Sequence, residues 1–247
     1  MFYSQFGEDK ILSKIFQGKT QGVCVEVGAN NGVDDSTSLF FEKIGWKCIL
    51  VEPNSFLCQR IRAVRNALLY EYAASNRSGV ATLHVVEGNE RSHGLSTISP
   101  TKEYLARVKN HKFFSRPVEV HTMTLDDILT RAQIVDDIDF ISIDVEGHEY
   151  EVLEGFSLAK WKPEIVLVEN NSNTKNNPAS NYLKKFDYVK FLKTGVNDWY
   201  TQRTNKRLMN IRSRIGLVLA AFNAKAYRLK ILLISKIKSF LSPKESP

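Results

Sequence analysis

Two apolar runs that each end in a carboxylate constrain this chain most. The first is Val23-Cys24-Val25-Glu26-Val27, followed by Gly28-Ala29-Asn30-Asn31-Gly32. The second, Cys48-Ile49-Leu50-Val51, ends at Glu52-Pro53, with Glu52 twenty residues beyond Gly32. Buried strands that deliver acids to one edge of a sheet make a nucleoside-binding edge, and the second acid falls where a ribose diol is held. The turn between them reads E-x-G-x-x-x-G rather than G-x-G-x-x-G. Closely spaced glycines at a helix N-terminus suit a pyrophosphate, so their absence points away from a dinucleotide and disfavours a nicotinamide-dependent oxidoreductase. A cofactor with a cationic amino-acid tail fits better. Glu26 suits the positive tail of S-adenosylmethionine, with Gly28, Asn30, Asn31 and Gly32 around it.

The remaining pattern alternates strand and helix. Strands are expected near 22–27, 47–52, 68–73, 80–86, 118–122, 140–143, 165–168, 188–193 and 198–202. Helices are expected near 4–17, 34–45 (opened by Asp34, Asp35 or Ser36), 54–65 (Phe56, Leu57, Ile61 and Val64 inward), 125–132, after His148, and 181–186. Residues 88–117 read as a long irregular loop, of the kind that is usually functional. This α/β order predicts a doubly wound, mostly parallel sheet with ligands at the carboxyl ends of its strands. Glu26, Glu52, Asp144, Glu169 and Asn170 all fall at such ends, and Ala73-Ala74 marks the turn expected under the adenine.

The chain has 247 residues, enough for one α/β domain without disulfide staples. Its three cysteines, Cys24, Cys48 and Cys58, lack metal-ligand spacing and read as small buried hydrophobes in a reducing compartment. No signal peptide or run of about 18 apolar residues is present, so a cytoplasmic protein is expected. The net charge of +7 is unevenly placed: residues from Tyr200 onward carry +10 and residues 1–199 carry −3. The expected division is therefore a catalytic domain over 1–204 and a basic amphipathic helical tail over 205–247. Ile211, Ile215, Val218, Phe222, Leu229, Leu233, Ile237 and Phe240 form the tail's apolar stripe. Such a helix fits the anionic inner face of a membrane, the domain itself or a second subunit in a homo-oligomer. Sparse aromatic interleaving disfavours nucleic acid.

Several ordered motifs resemble those of the FkbM family of S-adenosylmethionine-dependent methyltransferases. They are Ser4-Gln5-Phe6-Gly7-Glu8-Asp9, Val25–Gly32, Val51-Glu52-Pro53, Ala73-Ala74-Ser75-Asn76, Thr124-Leu125-Asp126-Asp127, Ile143-Asp144-Val145-Glu146-Gly147-His148-Glu149, and Gly195-Val196-Asn197-Asp198-Trp199-Tyr200. The resemblance spans about residues 3 to 203. It implies the Rossmann-like seven-stranded methyltransferase fold, mostly parallel with an antiparallel edge strand, and O-methylation of hydroxyl groups. Members opening with the first motif resemble those of bacterial surface-polysaccharide loci, which implies a sugar or glycan acceptor, nucleotide- or lipid-linked. Glu26 stands where Asp is usual, and Ser142 where Lys is common.

A sugar hydroxyl is a poor nucleophile near neutrality and needs a base or a metal. His148, at the start of a helix over the cofactor edge, is the expected base, with Asp144 as the second catalytic candidate. Asp144, Glu169 and Asn170 offer oxygen ligands suited to Mg²⁺ or Mn²⁺. Glu26, Gly28, Asn30, Asn31, Gly32, Glu52, Pro53, Ala73 and Ala74 are the expected cofactor contacts. Methylation of a polyketide-like hydroxyl and a non-catalytic, membrane-associated S-adenosylmethionine-binding module are the alternatives.

Overall fold

The computed structural model describes residues 1–88, 92–171, 177–210 and 216–217. Its strands are β1 (Val23–Val27), β2 (Lys47–Val51), β3 (Leu68–Tyr70), β4 (Ala73–Ala74), β5 (Gly79–Glu87), β6 (Phe114–Met123), β7 (Phe140–Ile143), β8 (Ile165–Glu169), β9 (Tyr188–Thr194) and β10 (Asn197–Gln202). Its helices are α1 (Glu8–Ile15), α2 (Leu39–Lys43), α3 (Ser55–Val64), α4 (Lys102–Asn110), α5 (Leu125–Arg131), α6 (Glu149–Glu154), α7 (Leu158–Trp161), α8 (Pro178–Lys185) and α9 (Lys206–Met209).

Seven strands form one sheet in the order β3-β2-β1-β7-β8-β10-β9. The β3-β2-β1-β7-β8 block is parallel. β10 runs antiparallel to both β8 and β9, so the reversed strand lies one in from the edge. This is the expected seven-stranded architecture. β1 and β8 are buried along their whole length, as strands covered on both faces must be. Side chains alternate between the two faces. Val23, Val25 and Val27 join the core under α5, α6 and α8, while Cys24 joins the core of α1, α2 and Trp199. Cys24, Cys48 and Cys58 are all buried and free, as expected.

Strand order reverses at β1, whose neighbours are β2 on one side and β7 on the other, and the crevice opens there. Gly28 closes that point. At φ +82 it lies so near the loop after β7 that a Cβ would stand 1.8 Å from the carbonyl oxygen of Asp144.

Several local expectations change. The helix expected from residue 34 begins only at Leu39, because side chains elsewhere hold 33–38 in an extended loop. Phe56 and Val64 face outward at 47% and 56% exposure, and α3 buries Cys58 beside Leu57 and Ile61. The expected third strand divides. β3 stays in the main sheet, whereas β4 joins β5 and β6 in a second, three-stranded sheet. Residues 88–117 are not one loop: they include a 3-10 turn (Ser92–Leu95), α4 and the first part of β6. Past residue 204, α9 still packs on the domain. Leu208 is buried, and Arg207 donates to the Ile15 carbonyl and pairs with Glu164. The whole of the tail's apolar stripe lies outside the described residues; of that region only Gly216 and the buried Leu217 are described. Among the described residues no helix is long and apolar enough to cross a membrane.

Candidate functional site

Two adjoining cavities open at the carboxyl edge of the parallel strands and share Val27 and Gly28 as a common wall. The larger has a volume of about 380 Å³. The smaller is a slot of about 40 Å³, mostly apolar, walled by Val51, Pro53, Ala73, Ala74, Leu83 and Val145. Pro53, Ala73 and Ala74 therefore stand together as expected. Its apolar walls can pack against one face of an aromatic base, the rest of which would extend beyond this volume.

Glu52 lines neither cavity and lies between Val51 and Pro53, which wall the smaller one. It is 6% exposed, and its carboxylate accepts the backbone N–H of Asn30 (2.9 Å) and of Asn54 (3.0 Å). Burial pushes its carboxyl up to about 7, against those two N–H groups, which lower it. Two backbone contacts leave further acceptor capacity on the carboxylate for a diol. Asn30 holds φ +50, and its Oδ1 is buried without a hydrogen-bond partner. That orphan acceptor borders the large cavity.

Other expected contacts are engaged within the chain. Glu26 accepts the Ser36 hydroxyl (2.8 Å), the Ser38 hydroxyl (2.5 Å), and both the N–H (2.7 Å) and hydroxyl (3.2 Å) of Thr37. Arg65, buried behind them, donates to the Ser38 hydroxyl oxygen and the Gly32 carbonyl. Glu26 thus lines the cavity but fastens the 36–38 loop, and its four accepted bonds leave little capacity for an ammonium. Asn31 Oδ1 caps Val33 and Asp34, holding the turn. Gly32, at φ +78, packs against Ile61 and Arg65.

His148, the expected base, is buried. It lines the slot, not the polar cavity. Its Nε2 lies 3.1 Å from Ser75 Oγ and its Nδ1 2.7 Å from Ser99 Oγ, so both ring nitrogens are occupied. Burial lowers its pKa, and nearby Glu151 opposes that shift. A neutral imidazole between two hydroxyls, donating at one nitrogen and accepting at the other, is a satisfied wall residue.

The acids of the large cavity converge instead. Oxygens of Asp144, Glu146 and Glu169 lie within 4.8 Å of one another. Asp144 follows β7, Glu169 ends β8, and Glu146 is carried inward at φ +55. Asn170, expected in this group, points elsewhere: its amide donates to Asp198 (2.8 Å). Glu146 takes its place. Burial raises the pKa of Asp144, and the neighbouring charges of Glu146 and Glu149 raise it further. Glu169 is raised first by burial and then by Asp144 and the same two neighbours. Both carboxyls are thus held above the ordinary carboxylate range, and a carboxylate so raised is a better acceptor of a substrate proton.

The cavity has further walls. Gln5, Phe6 and Glu8 come from the N-terminal segment, Asp34, Asp35 and Thr37 from the loop after β1, and Asn197 from β10. Among the described residues seven carboxylates line it, and no Lys, Arg or His does. Sequence reasoning passed over Gln5 and Glu8. Their signal was the polar Ser4-Gln5-Phe6-Gly7-Glu8-Asp9 run ahead of an amphipathic helix.

Comparison with known proteins gives a family match: the methyltransferase FkbM domain model covers residues 26–192. The chain is also similar to a protein of Dictyoglomus thermophilum named bifunctional protein FolD. They are 28% identical over 187 residues, 68% of this chain and 60% of that protein. The 2-O-methyltransferase NoeI of Sinorhizobium fredii is 28% identical over 158 residues, 61% of this chain and 64% of the relative. The match thus spans less than two thirds of either relative. Among solved structures, the O-methyltransferase from Bacillus cereus in complex with SAH superposes with TM-score 0.38 at 13% identity, covering 79% of this chain and 80% of that one. TrmK from M. capricolum with S-adenosylhomocysteine gives TM-score 0.39 at 8% identity, covering 98% and 89%. The fold assignment rests on the strand order, not on these superpositions.

Proposed function

The chain belongs to the FkbM methyltransferase family, and from its site we propose that it transfers a methyl group from S-adenosylmethionine to a hydroxyl of a sugar. The observation that carries this reading is the pair of cavities joined at Val27 and Gly28, one apolar and slot-shaped, the other polar and acidic. The residues present fit the donor. The slot of Pro53, Ala73, Ala74 and Val145 takes an adenine, and Glu52 takes the ribose diol. Gly28, on the wall shared by the two cavities, and Asn30, with its unpartnered Oδ1, meet the amino-acid tail. When bound, the donor supplies an electrophilic methyl carbon.

The chain's own part is positioning and proton removal. Asp144 and Glu169 hold the acceptor hydroxyl and take its proton, and such general-base help contributes about 10²–10⁴ in rate. His148 supports the adenine wall. The three clustered carboxylates also suit a hard cation, so Asp144, Glu146 and Glu169 would hold Mg²⁺ or Mn²⁺, which would supply charge stabilisation to a developing alkoxide. NoeI carries the name of a 2-O-methyltransferase, which supports oxygen as the atom methylated. The basic tail fits an anionic inner membrane surface, where lipid-linked glycans are presented.

The test is incubation with methyl-¹³C S-adenosylmethionine and a panel of glycosides, read by NMR. A new O-methyl carbon signal on a sugar supports the reading. Methyl transfer only to nitrogen or to a non-sugar hydroxyl overturns it.

A further inference from the structure

Residues 3–7 lie outside the matched family span, yet the chain anchors them with unusual care. Asp9 accepts the N–H groups of Tyr3, Ser4 and Lys10 and the Ser4 hydroxyl, and Ser4 Oγ accepts the Asp9 N–H in return. Glu8 is fully buried. Its Oε2 accepts the Phe6 N–H (2.8 Å), while its Oε1 accepts the Thr194 hydroxyl (2.7 Å) and the Asn197 amide (3.0 Å). Burying a carboxylate is costly unless it is well paired, so this acid is there to fix a position. Phe6 packs on the turn between β9 and β10, where a Cβ on Gly195 would lie 2.4 Å from its ring. At the other end Ser4 forms a parallel bridge with Asp35, on the cofactor-side loop. The strap therefore spans the mouth of the large cavity, pinned on both sides.

Gln5 sits between the two anchors. It lines the cavity, is half-buried, and makes no side-chain hydrogen bond to any described residue. Its neighbours in the strap are engaged, whereas Gln5, a residue of the cavity wall, keeps its amide donor and acceptor. An amide is a neutral partner for adjacent hydroxyls, giving to one and taking from another. The rest of the wall sets the charge of what can enter. Among the described residues the wall holds seven carboxylates and no cationic side chain, which disfavours a carboxylated or phosphorylated group beside the reacting hydroxyl.

Resting on the methyl-transfer reading above, we propose that Gln5 is a specificity-determining residue. It binds hydroxyls of an acceptor sugar that carries no negative charge near the methylated position. The strap is the device that holds it rigidly over the acceptor.

The experiment measures binding of p-nitrophenyl galactoside, glucosaminide and glucuronide to the full chain saturated with S-adenosylhomocysteine, by saturation-transfer NMR titration. The wild type should bind the galactoside or the glucosaminide at least tenfold more tightly than the glucuronide. Gln5→Ala should weaken that binding by about fivefold to thirtyfold, the loss of one or two hydrogen bonds. Its melting temperature and S-adenosylhomocysteine affinity should stay as in the wild type, and Gln5→Asn should recover part of the loss. Equal binding in Gln5→Ala, a wild type that accepts the glucuronide as well, or a wild type that binds none of the three overturns the proposal. Failure of the wild type to bind S-adenosylhomocysteine at all overturns the methyl-transfer reading beneath it instead.

Discussion

Asp144→Asn should inactivate the enzyme and stabilise the fold at once. Asp144, Glu146 and Glu169 hold oxygens within 4.8 Å of one another. At that separation and an effective dielectric near 20, two full charges repel by about 3.5 kcal/mol. Solvent in the cleft and partial protonation reduce this, leaving about 1–3 kcal/mol to be recovered. The direction follows from the titration. Burial and neighbouring acids raise both Asp144 and Glu169, so the folded chain holds protons that the unfolded chain releases. Their contribution is fully present below the ordinary carboxylate range and is lost as pH rises through the raised values. Asparagine keeps the shape and removes one of the repelling charges. At pH 8 without divalent cations, the variant should melt about 2–12 °C above wild type, at roughly 2–4 °C per kcal/mol for a chain of this size. The gap should narrow at pH 5. Turnover should fall by about 10²–10⁴. A variant that melts lower than wild type at pH 8 would refute the repulsion argument, and a fully active one would remove Asp144 from the chemistry.

Donor affinity should depend on Glu52. With its carboxyl at about 7, S-adenosylmethionine should bind about tenfold more tightly at pH 8 than at pH 6, and Glu52→Gln should flatten that profile in calorimetry. His148→Ala should weaken donor binding but leave turnover at saturating donor within about threefold, because the ring walls the slot; a loss of 10² or more would restore it as the base. Truncation after Asn210 should leave a folded chain that binds the donor. Truncation after Thr204 exposes the site of Leu208 and removes Arg207, and should cost about 2–3 kcal/mol in urea unfolding.

The strands and the acids at their ends were legible because a parallel sheet covered on both faces writes itself as continuous apolar runs, as in Val23–Val27 and Ile165–Val168. The partners of each acid were not. Glu26 and Glu52 look alike in sequence, each closing a strand. Yet Glu26 accepts four hydrogen bonds from residues 36–38, whereas Glu52 accepts only two backbone N–H groups, from Asn30 and Asn54. Which of Glu146 and Asn170 joins Asp144 depends on a left-handed backbone at Glu146 that no periodicity reports. His148 was legible at the cofactor edge, but not its partners Ser75 and Ser99, which come from segments far away in the chain. The strap was visible as a motif, but its destination rests on contacts spanning nearly two hundred residues, from Glu8 to Thr194 and Asn197.

The central claim is that the slot and the acidic cavity together hold one S-adenosylmethionine. Isothermal titration of the full chain with S-adenosylmethionine, and in parallel with NAD, tests it most directly. The account predicts saturable binding of one S-adenosylmethionine per chain, weakened more than tenfold by Glu52→Ala, and no binding of NAD. Saturable binding of NAD with none of S-adenosylmethionine, or a Glu52→Ala variant with unchanged affinity, would contradict it.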